Sequence, residues 1–251
     1  MSNIVDKMTE RLFTDAGIKP GMRVLDIGCG PGAVSFMLAE RVGDAGFVYG
    51  IDRDSHMVEA ARIKGLERGL SNIAFVEGNL DESPFDPGSF DAIVGRRVLM
   101  YQPDPIMAVR SLAGLVRPGG LVLFHEHDTV TVENNAVSLP LHDRVQSWLR
   151  NMLLSEGANI HMGFALHAVL TAAGFSVEHV RAEANVLTPT QHYPIGAIIR
   201  AVLPRLLRHG ISTEEEVEVD TLDERLARER QEACATYLWE LIFCAWAKNT
   251  G

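Results

Sequence analysis

The strongest constraint on this chain's fold is a regular alternation of short apolar runs and helix-spaced segments through its first half. Residues 22–27, 47–51, 73–77, 90–95 and 121–125 each read as a buried strand. Residues 33–41, 55–69 and 105–116 lie between them and carry apolar positions at helical spacing. Glycines at 43 and 46 break the first of these helices, and Pro118-Gly119-Gly120 stops the third. Residues 1–16 form a further helix, with Ile4, Met8 and Leu12 on one face, ending before Gly17 and the Pro20-Gly21 turn. Strands separated by single helices need right-handed crossovers. The expectation is an α/β protein with a doubly wound, mostly parallel sheet.

The second half loses that rhythm. Helical stretches are predicted at 141–154 and 164–173, a strand at 175–180, an apolar helix at 195–207 and a charged one at 222–235. The acidic run Glu214-Glu215-Glu216-Val217-Glu218 reads as a solvated helix start, where carboxylates favour the helix dipole. The closing segment YLWELIFCAWAK, residues 237–248, is apolar enough for a buried strand near the centre of the sheet.

The sharpest local signal is VLDIGCGPG, residues 24–32, between the first strand and its helix. Gly28, Gly30 and Gly32 allow a tight turn and a close approach of ligand to backbone. The loop lies at the carboxyl end of a strand, where open α/β sheets bind ligands. Three polar residues stand around it: Asp26 before the loop, Asp52 at the end of the second strand, and Asn79 after the third. A plain glycine turn with incidental acids does not account for all three strand ends at once.

This arrangement resembles the class I S-adenosylmethionine-dependent methyltransferases, over roughly residues 19–128. The resemblance implies a Rossmann-like seven-stranded sheet with an antiparallel closing strand and inserted lid helices, in a single domain over residues 1–251. Within it, residues 1–20 would form an N-terminal helix, 21–128 the cofactor-binding half, and 129–175 and 191–235 the substrate lid. The cofactor implied is S-adenosyl-L-methionine, with Gly28 and Gly30 cradling its methionine part and Asp26 orienting the amino group. Asp52 would take the ribose hydroxyls, since a carboxylate suits a vicinal diol. Arg53 and Met57 match positions flanking the adenine, and Asn79 stands where the family often has Asp. Leu80 would offer a backbone N–H to a ring nitrogen, and Arg96 would lie along the cofactor. Tyr101 would touch cofactor or acceptor. An NAD-binding oxidoreductase is the structural rival, but its glycine fingerprint is GxGxxG, whereas these glycines are spaced GxGxG.

Because such a cofactor already carries a reactive methyl sulfonium, the protein's task is to hold an acceptor in line and, where needed, remove its proton. The fifth strand ends in FHEHDT, and His125, Glu126 and His127 are the candidate catalytic residues. Histidine suits proton removal near neutral pH, and a buried glutamate can be tuned toward it. A metal site at His125, His127, Asp128 and His142 lacks supporting ligand spacing, so no metal is expected. The formal net charge of −10 disfavours nucleic acid as partner. Three cysteines, Cys29, Cys234 and Cys244, cannot make a disulfide framework. With no leader or membrane-length apolar run in the sequence, a cytoplasmic protein is expected, monomeric or homodimeric. The overall expectation is methyl transfer to a small-molecule acceptor at O, N or C, with secondary metabolism one setting. A cofactor-binding protein of the same fold that catalyses cyclisation or rearrangement is the alternative.

Overall fold

The computed structural model describes residues 4–79, 84–129 and 137–251. In chain order the elements are α1 (Ile4–Ala16), β1 (Arg23–Ile27), α2 (Ala33–Val42), β2 (Phe47–Asp52), α3 (Ser55–Glu67), β3 (Ile73–Glu77), β4 (Phe90–Arg96), α4 (Pro105–Leu112) and β5 (Val116–Asp128). There follow α5 (Pro140–Ser155), α6 (Met162–Ala172), β6 (Phe175–Leu187), α7 (Ile195–Arg208), α8 (Glu214–Val217), α9 (Leu222–Ala233) and β7 (Tyr237–Asn249). A single 3-10 turn, Leu99–Tyr101, follows β4.

The strands form one seven-stranded sheet in the order β3-β2-β1-β4-β5-β7-β6. β1 through β5 pair in parallel, and the sheet is closed by antiparallel strands, as expected. The parallel register brings the carboxyl ends of β1, β2, β3 and β4 to one edge: Ile27 faces Ile51 and Gly95, and Asp52 faces Glu77. The core of this region is built on Leu25, Ile27, Ile51, Phe90, Ile93 and Phe124, all fully buried. Helix starts follow local chemistry. Asp54 accepts hydrogen bonds from the N–H groups of His56 and Met57 at the head of α3. Asp104 caps α4, with Pro105 in the first turn. The acidic run does begin a helix: Thr213 and Glu216 make a reciprocal capping box at α8.

Three boundaries differ from the sequence reading. The helix expected over 105–116 ends at Leu112, and β5 starts at Val116 rather than Leu121. Pro118-Gly119-Gly120 therefore lies within the strand as a bulge: Phe90 pairs with Val116, but Ala92 pairs with Leu121. β6 runs on to Leu187, well past Val180. It is one of the two edge strands, and its frequent charged residues, which look loop-like in the sequence, suit an edge. β7 lies one strand in from that edge rather than near the centre, and is buried because both its sides are paired.

The chain divides into two compact units, one comprising Met1–His127, Met162–Glu183 and Ile242–Gly251, the other Asp128–His161 and Ala184–Leu241. α6, inside the segment expected as lid, belongs to the first unit, where Gly163 packs against the Phe243 ring. Among the described residues, no helix is long and apolar enough to cross a membrane.

Candidate cofactor site

A cavity of about 640 Å³ opens at the carboxyl edge of β1, β2 and β4. That size falls in the range of small-molecule sites. Six residues singled out from the sequence line it: Gly28, Asp52, Arg53, Met57, Asn79 and Tyr101.

Gly28 is the loop glycine that lines the cavity and forms its floor, because β1 ends at Ile27 and the chain must turn at once into α2. Gly28 and Gly30 have φ of +61° and +51°, a region that side chains with a Cβ avoid. The two positions differ in surroundings. A Cβ on Gly28 would lie 2.6 Å from a Val98 methyl, whereas one on Gly30 would meet nothing within 4 Å. Asp26 sits behind the loop, fully buried, accepting a 2.5 Å hydrogen bond from the Ser35 hydroxyl in the first turn of α2. Burial pushes its carboxyl up to about 7, against the opposing pull of Ser35 and Arg96. Cys29, within the loop, is also buried, and burial holds its thiol protonated.

Asp52 ends β2 and faces the cavity. One carboxylate oxygen accepts from the Gly30 N–H at 2.8 Å, and the other from the Asp54 N–H at 3.0 Å. The carboxylate is thereby fixed against the loop, with lone pairs left for further donors. Met57 and Tyr101, each 41% exposed, put apolar surface beside it. This set fits a nucleoside-bearing ligand: a fixed carboxylate for a diol, flat apolar surface for a base, and a glycine floor.

Other expected residues lie elsewhere. Arg96 turns away to α1, donating to Asp6 at 2.9 Å and to Thr9 at 3.3 Å, and its neighbour Arg97 lines the cavity instead. Leu80 lies outside the described residues. His125 is fully buried under α1. Its Nδ1 lies 3.0 Å from the Thr9 hydroxyl, which donates to the Val5 carbonyl and so accepts from the ring. Glu126 is fully buried on the other face of β5, accepting from the N–H groups of Val98 and Leu99 at 2.9 and 2.8 Å. Burial raises its carboxyl to about 7, opposed by those amides. His127 is half-buried at the strand tip. Arg97, Val98 and Gln102 line the cavity without having been anticipated. β4 ends at Arg96 and Arg97 turns into the left-handed region, so no local pattern in the sequence marks Arg97 as a wall residue. Among the described residues no group of three His, Cys, Asp or Glu side chains could hold a metal ion.

Fold and cavity together define a Rossmann-like protein built to hold a nucleoside cofactor at its strand tips. A methyltransferase-domain family model matches residues 18–184, and the chain belongs to that family. It is 37% identical over 131 residues to aklanonic acid methyltransferase from Streptomyces sp. strain C5, covering 49% of this chain and 60% of that protein. It is 36% identical over 121 residues to demethylmenaquinone methyltransferase from Lactococcus lactis, covering 47% and 48% respectively. The chain thus spans about half the length of these curated relatives. The solved structure of the YcgJ protein from Bacillus subtilis is similar over 98% of this chain and 100% of that one, with a TM-score of 0.65 at 20% identity.

Proposed function

We propose that this protein transfers a methyl group from S-adenosyl-L-methionine to a small organic acceptor. The observation that carries the reading is the Asp52 carboxylate, fixed by the Gly30 and Asp54 amides on the wall of the strand-tip cavity. Family membership, and relatives named as methyltransferases of aklanonic acid and demethylmenaquinone, support it. When bound, the cofactor supplies an electrophilic methyl on a sulfonium, which needs no metal.

The chain's own residues divide the remaining work. Asp52 accepts from the ribose hydroxyls, and the glycine floor admits the methionine part without side-chain interference. Met57 and Tyr101 cover the base, and the exposed Asn79 amide serves its exocyclic amine. Of the three histidine and glutamate candidates on β5, His127 is the one with solvent access, and it orients the acceptor or takes its proton. His125 and Glu126 face structural partners instead. The acceptor atom is oxygen, nitrogen or carbon. Incubation of the protein with labelled cofactor and a panel of phenolic, quinol and amine acceptors tests the reading. Release of S-adenosylhomocysteine with one acceptor class supports it, and binding without release across the panel contradicts methyl transfer.

A further inference from the structure

After Arg96 the chain leaves β4 through Arg97, which takes a left-handed conformation with φ +58° uncommon for a residue with a side chain. It then makes the single 3-10 turn Leu99–Tyr101. The leading N–H groups of a helical turn have no acceptor within it. The residue before this turn, Val98, offers no side-chain cap. The missing acceptor comes from the neighbouring strand. Glu126 Oε1 takes the Val98 and Leu99 amides, and its Oε2 lies 3.4 Å from the Met100 nitrogen. The His125 carbonyl takes the Arg97 N–H at 2.9 Å. The same turn supplies Arg97, Val98, Tyr101 and Gln102 to the cavity wall, and Val98 packs where Gly28 lacks a Cβ.

We infer that Glu126 is a positioning residue: its buried carboxylate clamps the turn after β4 and so holds one wall of the cofactor cavity against the glycine loop. It is not the proton acceptor. A base needs an oxygen that reaches the substrate, whereas both oxygens here face main-chain amides in a fully buried position. The inference rests on the cavity being the cofactor site.

The test uses amide hydrogen exchange of the ligand-free protein, together with calorimetric titration of S-adenosylhomocysteine. Glu126→Gln keeps a carbonyl oxygen for the Val98 and Leu99 amides, and Glu126→Ala removes it. In Glu126→Ala the amides of Val98 and Leu99 should exchange at least tenfold faster, while those of β1 keep their protection. Cofactor-product affinity should fall about tenfold or more, the scale of losing hydrogen bonds to a charged group. Glu126→Gln should stay within about threefold of wild type in both readouts and retain turnover, whereas loss of a general base costs about 10²–10⁴-fold in rate. Should the alanine variant not fold, Glu126→Asp, too short to meet the same amides from its strand, takes its place with the same expectation. Unchanged exchange and affinity without the carboxylate, or a Gln variant as impaired as the Ala one, overturns the inference. A wild-type protein that binds no cofactor overturns the reading of the cavity instead, and the exchange comparison still decides the clamp.

Discussion

In the unit that carries the glycine loop, buried carboxylates face the main chain and a first-turn hydroxyl. In the unit made of residues 128–161 and 184–241, buried polar and charged groups are joined in side-chain networks. Asp26 holds Ser35, and Glu126 holds the turn after β4. In the second unit His142 lies between Glu229, 2.6 Å from Nδ1, and Arg230, 2.7 Å from Nε2. Arg230 can only donate, so the ring proton is on Nδ1 and goes to Glu229. Burial, with Arg230 beside it, holds His142 below its usual pKa although Glu229 pulls the other way. Arg230 also donates to the carbonyls of Thr188 and Gln191, and Glu240 accepts from Asn185 and Tyr193. The difference follows from the elements available. Where parallel strands end together, a carboxylate on one strand can fix the loop of the next. Where helices and loops dominate, side-chain networks must do the tying.

The largest effect should come from cutting the second network. Arg230→Met leaves His142 and two carbonyls without their donor, and breaking a buried charged network typically costs about 3–5 kcal/mol. Urea unfolding monitored by circular dichroism measures it, and a loss below about 1 kcal/mol would show that the network is dispensable.

The next separates two glycines that look alike in the sequence. Gly28→Ala should lose about 1–2 kcal/mol from its left-handed backbone, and roughly 1–3 kcal/mol more from the collision with Val98. Gly30→Ala should suffer only the first loss, since its Cβ would meet nothing. Equal unfolding midpoints for the two variants would remove Val98 from the account of the loop.

A smaller effect is a slope against pH. Asp26 is raised from 3.8 to about 7 by burial, so the folded protein favours the neutral carboxyl. Its contribution is complete below about 3.8 and is lost as pH rises toward 7, because the folded state there binds more protons than the unfolded one. Stability should therefore decline with pH across that window, and Asp26→Asn should make the decline shallower. Parallel thermal melts of the two proteins from acid to neutral pH decide it, and identical slopes would mean that Asp26 carries no such linkage.

The same contrast explains what could be read before the structure. The glycine loop, Asp52, Arg53, Met57, Asn79 and Tyr101 follow each other at strand ends, where local sequence and position in the sheet coincide. Arg97 and Val98 were hidden because their place depends on one left-handed residue and on a carboxylate 28 positions later. His125 and Glu126 sit at the expected strand end, but alternation along β5 sends one under α1 and the other under the turn. Nothing local distinguishes such a supporting acid from a catalytic one. The His142, Glu229 and Arg230 network joins residues 88 positions apart with no motif, so only the folded chain reveals it.

In the proposed function, Asp52 and the glycine floor bind S-adenosyl-L-methionine. Calorimetric titration of wild type and Asp52→Ala with that cofactor, and of wild type with NAD, decides it. Clear binding of S-adenosyl-L-methionine is expected, with little affinity for NAD and a loss of about 1–3 kcal/mol on removing the carboxylate. Because Asp52 lies partly exposed at the cavity wall, the unfolding midpoint should move little. An Asp52→Ala protein that binds the cofactor as tightly as wild type would contradict the claim.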